Sequence, residues 1–576
     1  LQCWEPKRLL GRWTPGLAVV LAICEVFCIG GVFYGFSSSL RLLLLAEGFF
    51  ADGCNVSVAV LASGNETCRS QNEGFSQVNA VGTGMQLLCA LPMGLLLDRA
   101  GMRACKCACA AAGFLTCLCF AVATPASAWL LYIGAASWAV ASAVSIVSSL
   151  CVSELFPAWR EVLICLVSGT FDSSAVVFTL IQTVAYGTGL DDASAMYRRR
   201  LACFLFLGCL AATVCLVNGL VLLPPNHIRH GDQFAGECNP FSACSRKRRR
   251  PKQAIFELKE PLEHDPRQAV AADAAPVDPA EAADAATTDA AAAAAADSEV
   301  TPLDAAVEPV AKEIEIKTTA NVSAAAEAAA AATPAAELPP VQSVLLTRMF
   351  GCHVIWAVCS ILRFFVFLNQ VALYVRFAVD GSVSDVSLRA PTIVQHLSLL
   401  GVFLSLGLCF AFFTVGVVRF SRRFWPPKPA ADVWQRCRFL VAPFLLQCSL
   451  GLLLSCLSFA AHDGLVPLQF TLLALYRSML FSLASCLLFA AFPAAHFGTL
   501  YGVMCLACGL VSFVQIPLLD LAEASGLSSA NWVCLALALA AYAHPVQILL
   551  ADRIPCGAAV PGAKRRSGPT SENLLA

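Results

Sequence analysis

Twelve apolar runs of about 20 residues, the span of a bilayer's ~30 Å hydrocarbon layer, recur along the chain: 16–40, 78–97, 105–122, 128–150, 162–186, 201–223, 350–374, 394–418, 439–461, 468–492, 500–521 and 533–550. No water reaches that layer to satisfy a bare peptide group, so each run has to be a helix that bonds its own backbone. Soluble folds and open sheets are excluded. Composition agrees, since only 13% of residues are charged against about 25% in soluble domains. The expected fold class is an all-α polytopic membrane protein with 12 transmembrane helices.

Net charge is −1 and says little, whereas its distribution sets an orientation. Lys and Arg crowd residues 7–12, 98–106, 246–252, 419–438 and 553–566. All five clusters share one side if the N-terminus starts in the cytoplasm, as the positive-inside bias requires. The run "YRRR" at 197–200 is the exception, placed outside by this topology. The first apolar run is too long for the core of a cleaved signal peptide.

Hydrophobic patterning stops between 224 and 344, where "RKRRRPK" is followed by Ala, Asp, Glu and Pro. Such a stretch has little to bury and is expected to be disordered or transiently helical. The predicted organisation is a cytoplasmic segment (1–12), a first six-helix half (13–224), a cytoplasmic insert (225–344), a second six-helix half (345–553) and a cytoplasmic tail (554–576). Most of the 29 cysteines stand singly inside apolar runs and read as small apolar residues. Cys105, Cys107 and Cys109 read the same way, with no metal and no cofactor expected. Cys54 and Cys68 share the first external loop and are expected to form a disulfide. Asn55 and Asn65 in that loop carry glycosylation sequons.

Six spans on either side of an insert suggest a parallel repeat. Pro157, in "ELFPAWRE" after the fourth span, and Pro493, in "AAFPAAHF" after the tenth, lie 336 positions apart. Glu25 in the first span and Arg363 in the seventh lie 338 apart. At the end of the second span, "GLLLDRAGMR" (94–103) resembles the major facilitator signature G-x-x-x-D-R-x-G-x-R. Its physics suits a gate. Gly94 lets a helix pack closely and Gly101 permits a tight turn, while Asp98, Arg99 and Arg103 can join ion pairs or face a helix end. The corresponding loop of the second half, "GVVRFSRR", lacks the Asp, so the gate is expected to be asymmetric.

Further stretches resemble solute carrier family 43, the large neutral amino acid transporters, and the related apicomplexan amino-acid transporters. They are Glu25, Gly35 and "EGF" (47–49), "PMGLLLDRAGMR", "FDSSAVVF" (171–178), "LRFFVF" in span seven, and Arg477 followed by "FPAAHFGTLYG" (492–502). The resemblance spans both halves and leaves out the insert. It implies a major facilitator fold, two six-helix halves around a shared site, and facilitative transport or exchange of amino acids. Asp172 departs from the small neutral residue expected in span five and points toward cationic cargo or a capped polar group.

Counted along their helices, Glu25 and Arg363 lie about 14 and 20 Å from the span starts, near the midplane. A charge there costs at least about 2.5 kcal/mol, so both are expected to face a wet cavity between the halves. Arg363 would take the carboxylate of an amino acid through its planar fork, and Glu25 the ammonium. The other readings are that the two pair with each other, or that Glu25 couples protons. Ser173, Ser174, Asn369 and Gln370 add neutral hydrogen-bonding groups. Arg477 is a further buried guanidinium, with Asp172 or backbone carbonyls as its expected partner.

No phosphate-binding loop, metalloprotease helix or nucleophile elbow occurs, so no enzyme is expected. Nothing points to nucleic acid. The predicted molecule is a monomeric multi-pass glycoprotein of the plasma membrane, with both termini cytoplasmic, whose partners are the lipid bilayer and an amino acid. The rival readings are a carrier of a monocarboxylate, sugar or nucleoside, and a nutrient receptor with little flux.

Overall fold

The computed structural model describes residues 14–51, 69–186, 193–223, 340–426, 433–460 and 462–551. All belong to one compact unit drawn from 1–240 and 339–576, and a second unit, 241–338, lies outside the described residues. Cys54, Cys68, Asn55 and Asn65 also lie outside them.

Among the described residues, nine helices are long and apolar enough to cross a membrane, and one bent pair, Pro391–Ser405 with Gly407–Phe424, makes a tenth. Glu73–Val122 counts twice. Its 50 residues would reach about 75 Å as one rod. It breaks instead at Gly101, whose φ of 80° is open to a residue without Cβ. The shorter apolar helix Pro15–Gly30 completes the twelve predicted crossings.

Span 1 starts as Thr14–Glu25 and continues through a π turn, Val26–Gly30, and a 3-10 turn, Val32–Gly35. Spans 2 and 3 share Arg69–Val122, and span 4 is Trp129–Cys151. Span 5 joins Arg160–Ser173 to Val176–Tyr186, and span 6 is Ala193–Leu216. In the second half, span 7 is Arg348–Ser382 and span 8 is Val386–Ser405 bent into Gly407–Phe424. Spans 9 to 12 are Val441–Leu457, Val466–Ala491, Phe497–Ser512 and Leu527–Ala541.

Burial sorts the spans into inner and outer. Windows in spans 5 and 10 are 78% and 83% buried, against 33% in spans 6 and 12. The outer helices show Phe206 and Trp532 at their surfaces, as acyl chains favour. A charge midway along span 5 or 10, as Asp172 and Arg477 are, therefore sits deep among the helices.

The break in span 1 frees peptide groups, and neighbouring spans satisfy them. Trp138 Nε1 donates to the Ile29 carbonyl at 2.7 Å, and Ser142 Oγ donates to that of Gly30. The Gly31 amide donates to Ser174 Oγ at 2.7 Å. A Cβ at Gly31 or Gly35 would run into the carbonyls of Phe171 and Ala175, so glycine allows span 1 to lie directly on span 5.

Arg200 accounts for a positive charge on the unexpected side. Its Nε lies 2.8 Å from Glu47, Nη2 donates to the Ala123 carbonyl at 2.8 Å, and Nη1 donates to that of Phe120. The side chain is fully buried, so its guanidinium caps the open carbonyls at the end of span 3.

Candidate functional site

The two midplane charges singled out in the sequence turn into their own halves. Lys106 Nζ lies 2.8 Å from each carboxylate oxygen of Glu25 and donates to Ser149 Oγ at 3.1 Å. Glu25 and Lys106 are both fully buried. Arg363 Nε donates to Ser455 Oγ at 2.9 Å, and its guanidinium lies 5.2 Å above the Tyr476 ring. Neither residue lines the two inter-half cavities described below. The expectation of one shared, charged cavity is corrected accordingly: Glu25 is matched by a cation of its own half, and Arg363 is held by a hydroxyl and a ring of its own half, with Nη1 left unbonded.

Lys106 closes the basic cluster 98–106 of the sequence, yet it sits just inside the third apolar run, which is the signal that it is buried. The same packing brings Glu25, Cys109 and Cys215 together, their ligand atoms within 4.8 Å of one another. This set was not legible from spacing. Its carboxylate is already matched by the Lys106 ammonium.

A different pair joins the halves. Arg477 Nε of span 10 lies 2.8 Å from Asp172 Oδ1 of span 5, with the side chains 1% and 2% exposed. The approach is off the hydrogen-bond direction. Both Asp172 oxygens and all three guanidinium nitrogens of Arg477 are left without a directed hydrogen bond. Aromatic faces surround the cation: its guanidinium carbon stands 4.2 Å from the ring centre of Tyr34, 5.6 Å from Phe364 and 6.0 Å from Phe481. Such contacts stabilise a desolvated guanidinium.

The bend in span 8 holds this pair in place. The Leu408 amide, freed where the helix restarts, donates to Ser173 Oγ at 2.7 Å. Gly407 presses against Asp172 so closely that a Cβ there would collide with the Asp172 Cβ. Ser173 and Ser174, expected near the substrate, thus each serve a helix break, Ser173 in span 8 and Ser174 in span 1. Gln370 is buried with its Nε2 unbonded, and the side chain of Asn369 lies outside what the structure describes.

Two cavities meet at Tyr34. One of about 20 Å³ is lined by residues including Gln86, Phe171, Phe481 and Tyr501, little more than room for a single water. The other, about 180 Å³, lies toward the end away from the "DRAGMR" motif and is lined by residues including Asn79, Thr83, Phe365 and Gln515. Tyr34 borders both and donates to Gln86 Oε1 at 3.1 Å. The ring over Arg477 is thus also the partition between inner pocket and outer vestibule.

The motif end is shut. Asp98 accepts from the amides of Gly498 and Thr499, at 3.1 and 2.6 Å, and from the Thr499 hydroxyl. These are open amides at the start of span 11, where the helix dipole favours an anion. Gly94 packs on Gly498 with no space for a Cβ on either. Arg99 is exposed and Arg103 half-buried. A second bridge, Arg422 Nη1 to Glu161 Oε2 at 2.9 Å, ties span 8 to span 5.

Known proteins bear on this arrangement. No protein-family model matches the chain. Equilibrative nucleobase transporter 1 of Bos taurus is 23% identical over 554 residues, covering 93% of this chain and 96% of that protein. The human large neutral amino acids transporter small subunit 3 is 26% identical over 207 residues, 34% of this chain and 36% of that one. Among solved structures, a double-Trp mutant of XylE superposes with a TM-score of 0.51 at 14% identity, covering 93% of this chain and 95% of the other. The major facilitator transporter FucP in its outward conformation gives 0.51 at 11%, covering 92% and 98%. The fold of these twelve spans is the fold of those proteins.

Proposed function

We propose that this chain, which has the fold of the major facilitator transporters XylE and FucP, is itself a major facilitator carrier whose cargo is an amino acid, moved by alternating access of the two halves about the Asp172–Arg477 pair. One observation carries this reading. Asp172 and Arg477 are buried opposite charges in contact at 2.8 Å, with Asp172 Oδ2 and both terminal guanidinium nitrogens of Arg477 lacking a hydrogen-bond partner. Unsatisfied buried polar groups cost about 1–3 kcal/mol each and are rare without a purpose. A zwitterion supplies what they lack, its carboxylate for the guanidinium fork and its ammonium for the carboxylate. The neighbouring cavity of about 180 Å³, walled by Tyr34, Phe365, Leu368 and Leu404, suits an apolar side chain. Arg477 matches the charge of Asp172, so the pair carries no net charge, and neutral amino acids fit it better than cationic ones.

Facilitative flux is the simplest mode for such a site, since binding and release need only the two halves to rock. The loop charges support a cytoplasmic motif end and cytoplasmic termini, in a plasma-membrane protein acting as a monomer.

A second reading, nucleobase transport, rests on the relative that matches over nearly the whole length and on the amide of Gln86 among aromatic rings. Uptake separates the two. In cells lacking endogenous carriers, labelled leucine and labelled adenine are offered with excess of the other as competitor. Leucine uptake, blocked by neutral amino acids and lost in Arg477→Ala at matched surface amounts, is the expected result. Adenine uptake that amino acids fail to compete would replace this reading with the second.

A further inference from the structure

The shut end carries more positive charge than its ion pairs consume. Two cavities lie side by side there, about 300 and 470 Å³, sharing Glu161 and Arg422 in their walls. Arg419 and Arg423 line the first, Arg160 and Arg436 the second. Five guanidiniums thus face one lining carboxylate, Glu161, with Glu154 behind it bonded to Arg160 at 2.8 Å.

Three of these cations are already engaged: Arg160 by Glu154 at 2.8 Å, Arg422 by Glu161 at 2.9 Å, and Arg419 by the Trp159 ring at 4.4 Å. Arg436 is different, with a buried Nε that has no hydrogen-bond partner. Arg423 is exposed. Like charges gathered around a hollow repel one another, and a multivalent anion relieves that repulsion. Guanidiniums match phosphate oxygens in pairs. The floor of the larger cavity is apolar, formed by Phe439, Phe489 and Phe492.

We propose that this hollow is a binding site for a phosphate-bearing anion, held between Arg160 at the start of span 5 and Arg422, Arg423 and Arg436 of the second half. Held there, the anion ties the halves together at the motif end and opposes their separation. The chemistry is shared by a free phosphate compound and by a phosphoinositide headgroup, whose acyl chains would lie on the phenylalanine floor.

Thermal unfolding of the purified full-length protein tests the site. It is heated with inorganic phosphate, with inositol trisphosphate, or with a short-chain phosphatidylinositol bisphosphate, against chloride at equal ionic strength and against phosphatidylcholine. A saturating rise in Tm of about 2 °C or more with a phosphate ligand is expected. A rise with the soluble compounds identifies phosphate alone as sufficient, and a rise confined to the lipid identifies the headgroup source. The pair Arg423→Gln and Arg436→Gln should weaken the response at least tenfold, with Arg423→Gln alone as the surface variant that leaves folding intact. Glu161→Gln, which releases Arg422, should tighten it. No shift beyond chloride and phosphatidylcholine, or an undiminished shift in the double variant, overturns the proposal.

Discussion

Arg477 sits between Asp172, 2.8 Å away across the junction of the halves, and the ring of Tyr34, 4.2 Å away on span 1. One cation thus links spans 1, 5 and 10 at a fully buried position. Removing one member strands the other, and a lone buried charge costs about 3–5 kcal/mol. Arg477→Ala and Asp172→Asn are each expected to lose transport and to lower thermal stability. The double variant Asp172→Asn with Arg477→Gln should recover most of the stability and none of the transport. Recovered uptake at matched surface amounts would assign the pair a purely structural role.

Glu25 and Lys106 provide the contrasting case. Their contact is fully buried inside the first half, so Glu25→Gln or Lys106→Met alone should destabilise by about 3–5 kcal/mol. Combining the two should restore folding together with much of the uptake. Exchanging Glu25 and Arg363 should rescue neither, because each then meets the wrong partners. A functional exchange variant would revive direct pairing of those two charges.

At the shut end, Asp98→Asn removes a charged acceptor from two amides and a hydroxyl of span 11. Bonds to a charged group contribute about 1.5–3 kcal/mol, a shift of roughly 10- to 100-fold toward opening. Hydrogen–deuterium exchange across residues 497–502 should rise in the variant. Unchanged protection would show that closure rests on other contacts.

Close packing makes Gly407 sensitive to a single methyl. Its Cβ would strike Asp172, while Gly416, nine residues later on the same span, has open space around it. Gly407→Ala should abolish uptake with protein amounts preserved, and Gly416→Ala should behave as wild type. Equal activity of the two would remove the span 5–span 8 junction from the mechanism.

Tyr34→Phe keeps the ring over Arg477 and deletes the bond to Gln86. The loss is about 0.5–1.5 kcal/mol, so KM should rise about 2- to 10-fold with little change in kcat. Tyr34→Ala, which also removes the partition between the cavities, should lower both affinity and rate. A KM in Tyr34→Phe equal to wild type would place the hydroxyl outside the pathway.

The sequence by itself determined the twelve spans, the grouping of basic loops, the motif at the shut end and the identity of the buried charges. The reason is that a bilayer dictates helix length and charge placement locally, within some twenty residues. It also offered Asp172 as a partner for Arg477. Which buried charge faces which other was decided only in three dimensions. Glu25 and Arg363 share depth and near-equal spacing in the repeat, yet rotation about each helix axis turns them toward Lys106 and Ser455. Such rotation is set by packing against helices distant in the chain, where the fit of a Gly407 or a Gly31 against its neighbour fixes the angle. Hydropathy reports how deep a residue lies in the membrane, and it is blind to the direction in which that residue points.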